Sequence, residues 1–257
     1  MEIKVNNTFF TGKFLLHLPS VDSTNNFAKS YIAKSSPIDG TVILADEQYA
    51  GRGQSGNTWL ADPNKNLTFS LIYHTSFLNA TEQFWLNIAI SLGIATGIHS
   101  IIQQFNNPTI KIKWPNDIYV KDKKIAGILI ENTILGMHLK YSIIGIGLNV
   151  NQEVFPETIS GTSLKLILHK EFALDQILDQ VLVSIEKYFL WLKERRFNEL
   201  KAAYLQHLYR FNEVSKYKRY DQIIFEGCIK DVDVSGNLIL ETKEGLEKFG
   251  FKQISFI

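Results

Sequence analysis

Apolar positions recur along this chain with two periods, and the switches between them mark its elements. Residues 41–46 (TVILAD) are apolar at nearly every place and predict a buried strand. Residues 66–74 (NLTFSLIYH) alternate, with Leu67, Phe69, Leu71 and Tyr73 on one side, and predict a second strand. Residues 81–105 carry apolar side chains at helical spacing, with Thr81 as the expected N-cap. Residues 109–114 (TIKIKW) alternate again, placing Ile110, Ile112 and Trp114 opposite Lys111 and Lys113. DIYV then leads through the charged turn KDKK into strands over 124–132 and 140–150. Connections this short predict an antiparallel meander. Two helices are expected near 173–192 and 197–209. From Val214 onward, short strands separated by glycine-bearing turns predict a small barrel-like all-β unit.

Composition narrows the class. A chain of 257 residues can form one large domain, or a large one with a small companion. With 45% apolar and 21% charged residues, a packed core is expected rather than disorder. A net charge of +1 supplies no bulk field for nucleic acid or a membrane surface. Cys228 is the single cysteine, so no disulfide forms within the chain, which fits a reducing cytoplasm. It is expected to be a small buried hydrophobe. The N-terminal stretch MEIKVNNTFF lacks the apolar segment of a signal peptide, and no run is expected to reach membrane-span length. The six histidines show no ligand spacing, so no metal site is expected.

Four stretches carry candidate chemistry. The first, GRGQSG (51–56), puts Gly51, Gly53 and Gly56 around Arg52 and Gln54, just before Trp59. Glycines let a backbone approach a ligand closely and aim its N–H groups at anions. No Lys-Ser/Thr follows, so this is not a Walker A loop, and the helix of a dinucleotide fingerprint is missing. A plain surface turn explains the loop equally well. In the second, residues 111–131, Lys113 is a cation at a cleft if its face lines one, and otherwise an ordinary solvated lysine. Asn116 and Asp117 read as turn residues after Pro115, and Gly127 marks either a ligand's close approach or a bulge. The third, GIGLNVN (145–151), interrupts a strand with two glycines before Asn149. In the fourth, Asp22, Ser23 and Thr24 form an N-cap cluster, where polar ligands also dock.

Taken together and in order, VDSTN, GRGQSGNTW, KWPNDIYV…KKIAGILIE and IGIGLNVN resemble the biotin protein ligases, or biotin–[acetyl-CoA-carboxylase] ligases. The resemblance runs from about residue 15 to the end. It implies an α+β fold related to class II aminoacyl-tRNA synthetases. A central mixed, largely antiparallel sheet would carry helices packed on one face, followed by a small SH3-like β-barrel. The expected division is a catalytic domain over 1–212 and the barrel over 213–257.

The reaction implied has two steps. Biotin and ATP give biotinyl-5′-AMP and pyrophosphate, and a lysine of a biotin carboxyl carrier protein domain then takes the biotinyl group. That carrier would be a subunit of acetyl-CoA carboxylase or of another biotin-dependent carboxylase. By resemblance, Lys113, Arg52 and Lys124 supply the catalytic cations. The biotin site would comprise Ser23, Thr24, Asn25, Gln48, Gly51, Arg52, Gly53, Trp59, Lys124 and Gly127. Lys113, Asn116, Asn149 and Gln54 would meet the nucleotide, with Mg²⁺ accompanying ATP. Asp117 either orients its neighbours or caps the turn.

This chain departs from the family pattern at Gln54 and Asn57, where basic residues are usual, so Arg52 is the loop's single cation. VDSTN starts at Val21, leaving no room ahead of it for a helix-turn-helix, so a ligase without operator binding is expected. A homodimer through the sheet is what the short members suggest. The rivals are a lipoate–protein ligase of the sister family, whose glycine signature differs, and a non-catalytic biotin sensor, which would lose the lysines.

Overall fold

The computed structural model describes residues 5–103, 105 and 108–257. Its first sheet has seven strands: β1 (Leu15–Leu18), β2 (Thr41–Ala45), β3 (Leu67–His74), β4 (Ile110–Lys113), β5 (Asp117–Val120), β6 (Lys123–Leu135) and β7 (His138–Leu148). They lie in the order β1-β2-β3-β7-β6-β5-β4. The expected meander is present, with β4, β5, β6 and β7 pairing antiparallel in turn. The β1–β2 pair alone is parallel, which makes the sheet mixed. β1 has no counterpart among the expected strands, because LLHL is too short for its alternation to stand out.

Every residue of β2 is buried, because helices cover both faces of the sheet. On one face, Val42, Leu44, Leu71, Tyr73 and Ile144 join a core shared with α2 (Gln83–Ile102), α4 (Leu174–Lys193) and α5 (Phe197–His207). On the other, the alternate residues Ile43, Ile72 and Ile143 pack on Ala28, Phe27, Tyr31 and Ile32 of α1 (Thr24–Lys34). The helical layer expected on one face is therefore joined by α1 on the opposite face. A short helix, α3 (Leu164–Leu168), follows the sheet.

α2 begins later than expected. Asn79 caps a preceding 3-10 turn through a reciprocal bond with Glu82, so Thr81 lies inside that turn. The expected helix end includes residue 104, outside the described residues, and α2 itself ends at Ile102. Contrary to the sequence expectation, Ala80–Ile102 is long and apolar enough to cross a membrane by length and composition. Its burial explains that composition, since 72% of the apolar window is buried against the sheet and neighbouring helices.

The second sheet contains β8 (Val214–Arg219), β9 (Ile224–Val232), β10 (Leu238–Thr242), β11 (Gly245–Phe249) and β12 (Ile254–Phe256), ordered β11-β10-β9-β8-β12. All its pairings are antiparallel. No pairing joins β11 to β12 among the described residues, so the expected barrel is an open sheet here. Cys228 is buried in β9, as expected of a small hydrophobe. Contacts tie the two sheets together: the Trp114 indole donates to Gly236 O at 2.9 Å, and its ring packs on Phe251.

Candidate active site

The sheet face that carries α1 is lined by small and polar residues beyond that helix's N-terminus. Gly145 and Gly147 of β7 share a face with Ile143, and Gly127 and Leu129 are their cross-strand partners on β6. A side chain at Gly147 would collide with the Trp59 indole, and one at Gly145 would collide with Asn25. Glycine therefore opens this face to an aromatic ring and an amide. The result is a cavity of about 430 Å³, open mouth included. Its lining includes Ser23, Thr24, Asn25, Gln48, Arg52, Gly53, Gln54, Trp59, Asn116, Asp117, Lys124 and Gly127.

A buried polar chain runs along one wall. The Thr24 N–H and hydroxyl both reach Gln48 Oε1, at 2.7 and 3.0 Å. Ser70 Oγ lies 2.8 Å from Thr24 Oγ1 and 2.7 Å from Asn25 Oδ1. Asn25 Nδ2 donates onward to Glu131 Oε2 at 2.8 Å and to Leu129 O at 3.3 Å. The two hydroxyls face three oxygen contacts but carry only two hydrogens. One of the three contacts is thus without a bridging hydrogen. Ser23 occupies the N-cap position of α1, yet its side chain makes no capping bond.

The expected cations are held in three different ways. Arg52 forms a two-pronged pair with Glu131, Nη2–Oε1 at 3.0 Å and Nη1–Oε2 at 3.2 Å, and also donates to Asn26 Oδ1 at 2.8 Å. Lys124 pairs with Asp117 at 2.6 Å and lies 5.5 Å from the Trp59 ring centre. Asp117 thus orients a neighbour, resolving its two readings. Lys113 does not line the cavity. Its ammonium donates to the Tyr119 hydroxyl at 3.1 Å and lies 5.3 Å from the Phe256 ring. Burial holds the Lys113 ammonium below its usual pKa, against the opposing pull of nearby Asp117. Burial likewise pushes the Tyr119 phenol up to about 12, with Asp117 adding to it.

Two further expected residues lie off the cavity wall. Gly51 sits at the loop base, where its carbonyl accepts from Trp59 N at 3.0 Å and a side chain would strike the Trp59 carbonyl. Asn149 lines a neighbouring cavity with Gln152 and Phe155, and Trp59 and Lys124 belong to both cavities. Asn149 Nδ2 donates to Thr162 O, while its buried Oδ1 has no partner. Asn116 Nδ2 is committed to Ile128 O at 2.6 Å. Sequence reasoning missed Ser70, Glu131 and the paired roles of Gly145 and Gly147. A signal existed for the last two, since glycines two apart in a strand share a face.

Among the described residues, no group of three or more His, Cys, Asp or Glu is placed to hold a metal ion. Asp117 is the one carboxylate on the cavity lining, and Lys124 occupies it. This donor set does not fit a protein-held Mg²⁺.

The likenesses to known proteins converge. A model of the biotin/lipoate A/B protein ligase family matches residues 17–149. The bifunctional ligase/repressor BirA of Bacillus spizizenii is 29% identical over 246 residues, covering 92% of this chain and 72% of its own. A biotin–[acetyl-CoA-carboxylase] ligase of Mycobacterium tuberculosis is 32% identical over 141 residues, covering 54% of this chain and 51% of its own. The structure of a biotin protein ligase from Aquifex aeolicus in complex with biotin and ATP superposes with a TM-score of 0.78 at 28% identity, over 95% of this chain and 99% of that one. The glycine-opened sheet face, the loop above it and the matched segment coincide, and the chain belongs to the biotin/lipoate A/B protein ligase family.

Proposed function

We propose that this protein is a biotin protein ligase, which joins biotin to AMP and then passes the biotinyl group to a carrier lysine. The observation that carries this reading is the cavity itself. It gathers Ser23, Thr24, Gln48, Arg52, Trp59 and Lys124 and adjoins, across Trp59 and Lys124, the second cavity with Asn149. Biotin's ureido ring brings two N–H donors and one carbonyl, and Thr24, Asn25 and Gln48 of the buried polar chain line the cavity as polar partners for it. The Trp59 ring gives the apolar ring and tail a flat wall.

In the first step a carboxylate oxygen bonds to the α-phosphorus of ATP. The bond to the β-phosphate oxygen breaks, and pyrophosphate leaves with the electron pair. Two anions must meet, and at about 4 Å like unit charges repel by roughly 4 kcal/mol at an effective dielectric near 20. Lys124, at the junction of the cavities, offsets that repulsion where charge shifts. In the second step a neutral lysine amine bonds to the acyl carbon, the acyl–phosphate oxygen bond breaks, and AMP leaves as the amine sheds a proton. Any Mg²⁺ would arrive on the ATP phosphates.

The finer elements of the proposal are these. The carrier is a biotin carboxyl carrier domain, the chain divides near 212 and 213, and the protein works as a homodimer. Biotin-dependent pyrophosphate release from ATP tests the core of the reading, with lipoate and octanoate as parallel acids. Release with biotin alone supports it, and release with lipoate alone moves the protein to the sister activity.

A further inference from the structure

Glu131 is assigned no part by the reading above, yet it stands where the loop meets the cavity. Its Oε2 accepts from Asn25 Nδ2 at 2.8 Å and from Arg52 Nη1 at 3.2 Å, while Oε1 accepts from Arg52 Nη2 at 3.0 Å. Asn25 lines the cavity, and Arg52 is the single cation of the glycine-rich loop. Glu131 sits on β6 beside Ile143 of β7, within the sheet. A fixed strand thus holds one carboxylate against a cavity amide and a loop guanidinium.

We propose that Glu131 is a positioning residue that couples the order of the glycine-rich loop to the filling of the cavity, through Asn25 and Arg52. A ligand that draws on Asn25 changes what Glu131 Oε2 receives, and the carboxylate then turns more fully to Arg52. The loop tightens over the occupant. An amide cannot substitute, because it offers one acceptor oxygen and has no charge for the guanidinium. The identity of the occupant rests on the proposed function, whereas the tie between Glu131 and the loop does not.

Hydrogen exchange of the backbone amides over residues 51–59, measured on the whole chain, tests this. Without ligand, Glu131→Gln raises loop exchange roughly two- to fivefold, as expected on losing a partly exposed ion pair. Arg52→Gln does the same, and the double variant exchanges no faster than either single one. Raising the salt concentration speeds loop exchange in the parent and leaves Glu131→Gln unmoved, because only the parent holds the ion pair. Added biotin slows the parent loop and does not slow the Glu131→Gln loop, a difference that a purely structural tie would not produce. Parental exchange in ligand-free Glu131→Gln, multiplying effects in the double variant, or an intact biotin response in Glu131→Gln would each overturn the proposal. Should the parent show neither a biotin response nor pyrophosphate release, the functional reading fails, and the ligand-free comparison still decides the role of Glu131.

Discussion

The indole of Trp59 lies so close on Gly147 that no side chain at residue 147 fits beneath it. Gly127, the cross-strand partner of Gly147, touches the same ring from β6, where a Cβ would come 3.0 Å from Cζ3. Gly147→Ala therefore displaces the ring, at a strain of about 1–3 kcal/mol. The expected result is a KM for biotin raised roughly tenfold or more, with the KM for ATP moved less. Steady-state pyrophosphate release checks it, and parental kinetics would mean that the indole is free to shift.

Lys124 carries a prediction about rate. It stands at the meeting point of both cavities and is already paired with Asp117. Lys124→Met is expected to slow adenylation by roughly 100-fold or more, with the fold retained. A single-turnover measurement at saturating biotin and ATP separates this from weakened binding.

Lys113 makes a prediction about pH. Its ammonium is half-buried against Tyr119 and Phe256, and its pKa falls below the ordinary 10.5. Below the lowered value it is charged in both folded and unfolded chains, and the folded chain bears the desolvation. As pH rises through the lowered value, the folded protein sheds the proton while the unfolded chain keeps it up to about 10.5, so folding is favoured in that window. Lys113→Met is therefore expected to melt no lower than the parent at neutral pH, and its advantage shrinks toward alkaline pH. Thermal melts of both proteins across that range check the sign. A variant that keeps its melting temperature but loses adenylation would show that substrates recruit this cation.

Glu186 of α4 is a prediction about stability alone. This buried carboxylate accepts from the N–H groups of Phe9, Phe10 and Thr11, at 2.6, 2.9 and 2.7 Å. Glu186→Gln turns an NH₂ group toward one side of that cluster and is expected to cost about 2 kcal/mol in denaturant unfolding. None of these residues lines the cavity, so turnover below the melting range should remain at the parental level.

Much of the sheet was legible because its strands alternate or run continuously apolar, as β2, β3 and the β4–β7 meander do. β1 was not, since four residues hold too little periodicity. The face carrying α1 was hidden for a different reason. A helix spanning Thr24–Lys34, with Asn25, Asn26, Lys29 and Lys34, reads as polar until Ile43, Ile72 and Ile143 are seen to need cover.

At the site, the motif residues Thr24, Gln48, Trp59 and Lys124 line one cavity. Ser70 and Glu131 were missed because each lies in a strand whose apolar neighbours set the reading. Only the register with Gly145 and Ile143 turns them toward the cavity face. The position of Lys113 depended on Phe256, a contact between segments far apart in sequence that no local pattern encodes.

The pairing of both cavity cations with the protein's own carboxylates bears on how the site empties. Arg52 and Lys124 each have a built-in counter-ion, Glu131 and Asp117. A departing anionic product leaves behind no bare positive charge, because Asp117 resumes its place at Lys124 as the phosphate goes, while Glu131 holds Arg52 throughout. The same arrangement makes free phosphate or chloride a weak competitor, since either must displace a covalently tethered rival. A site built this way gives up some grip on anions in exchange for fast clearance and low background occupancy.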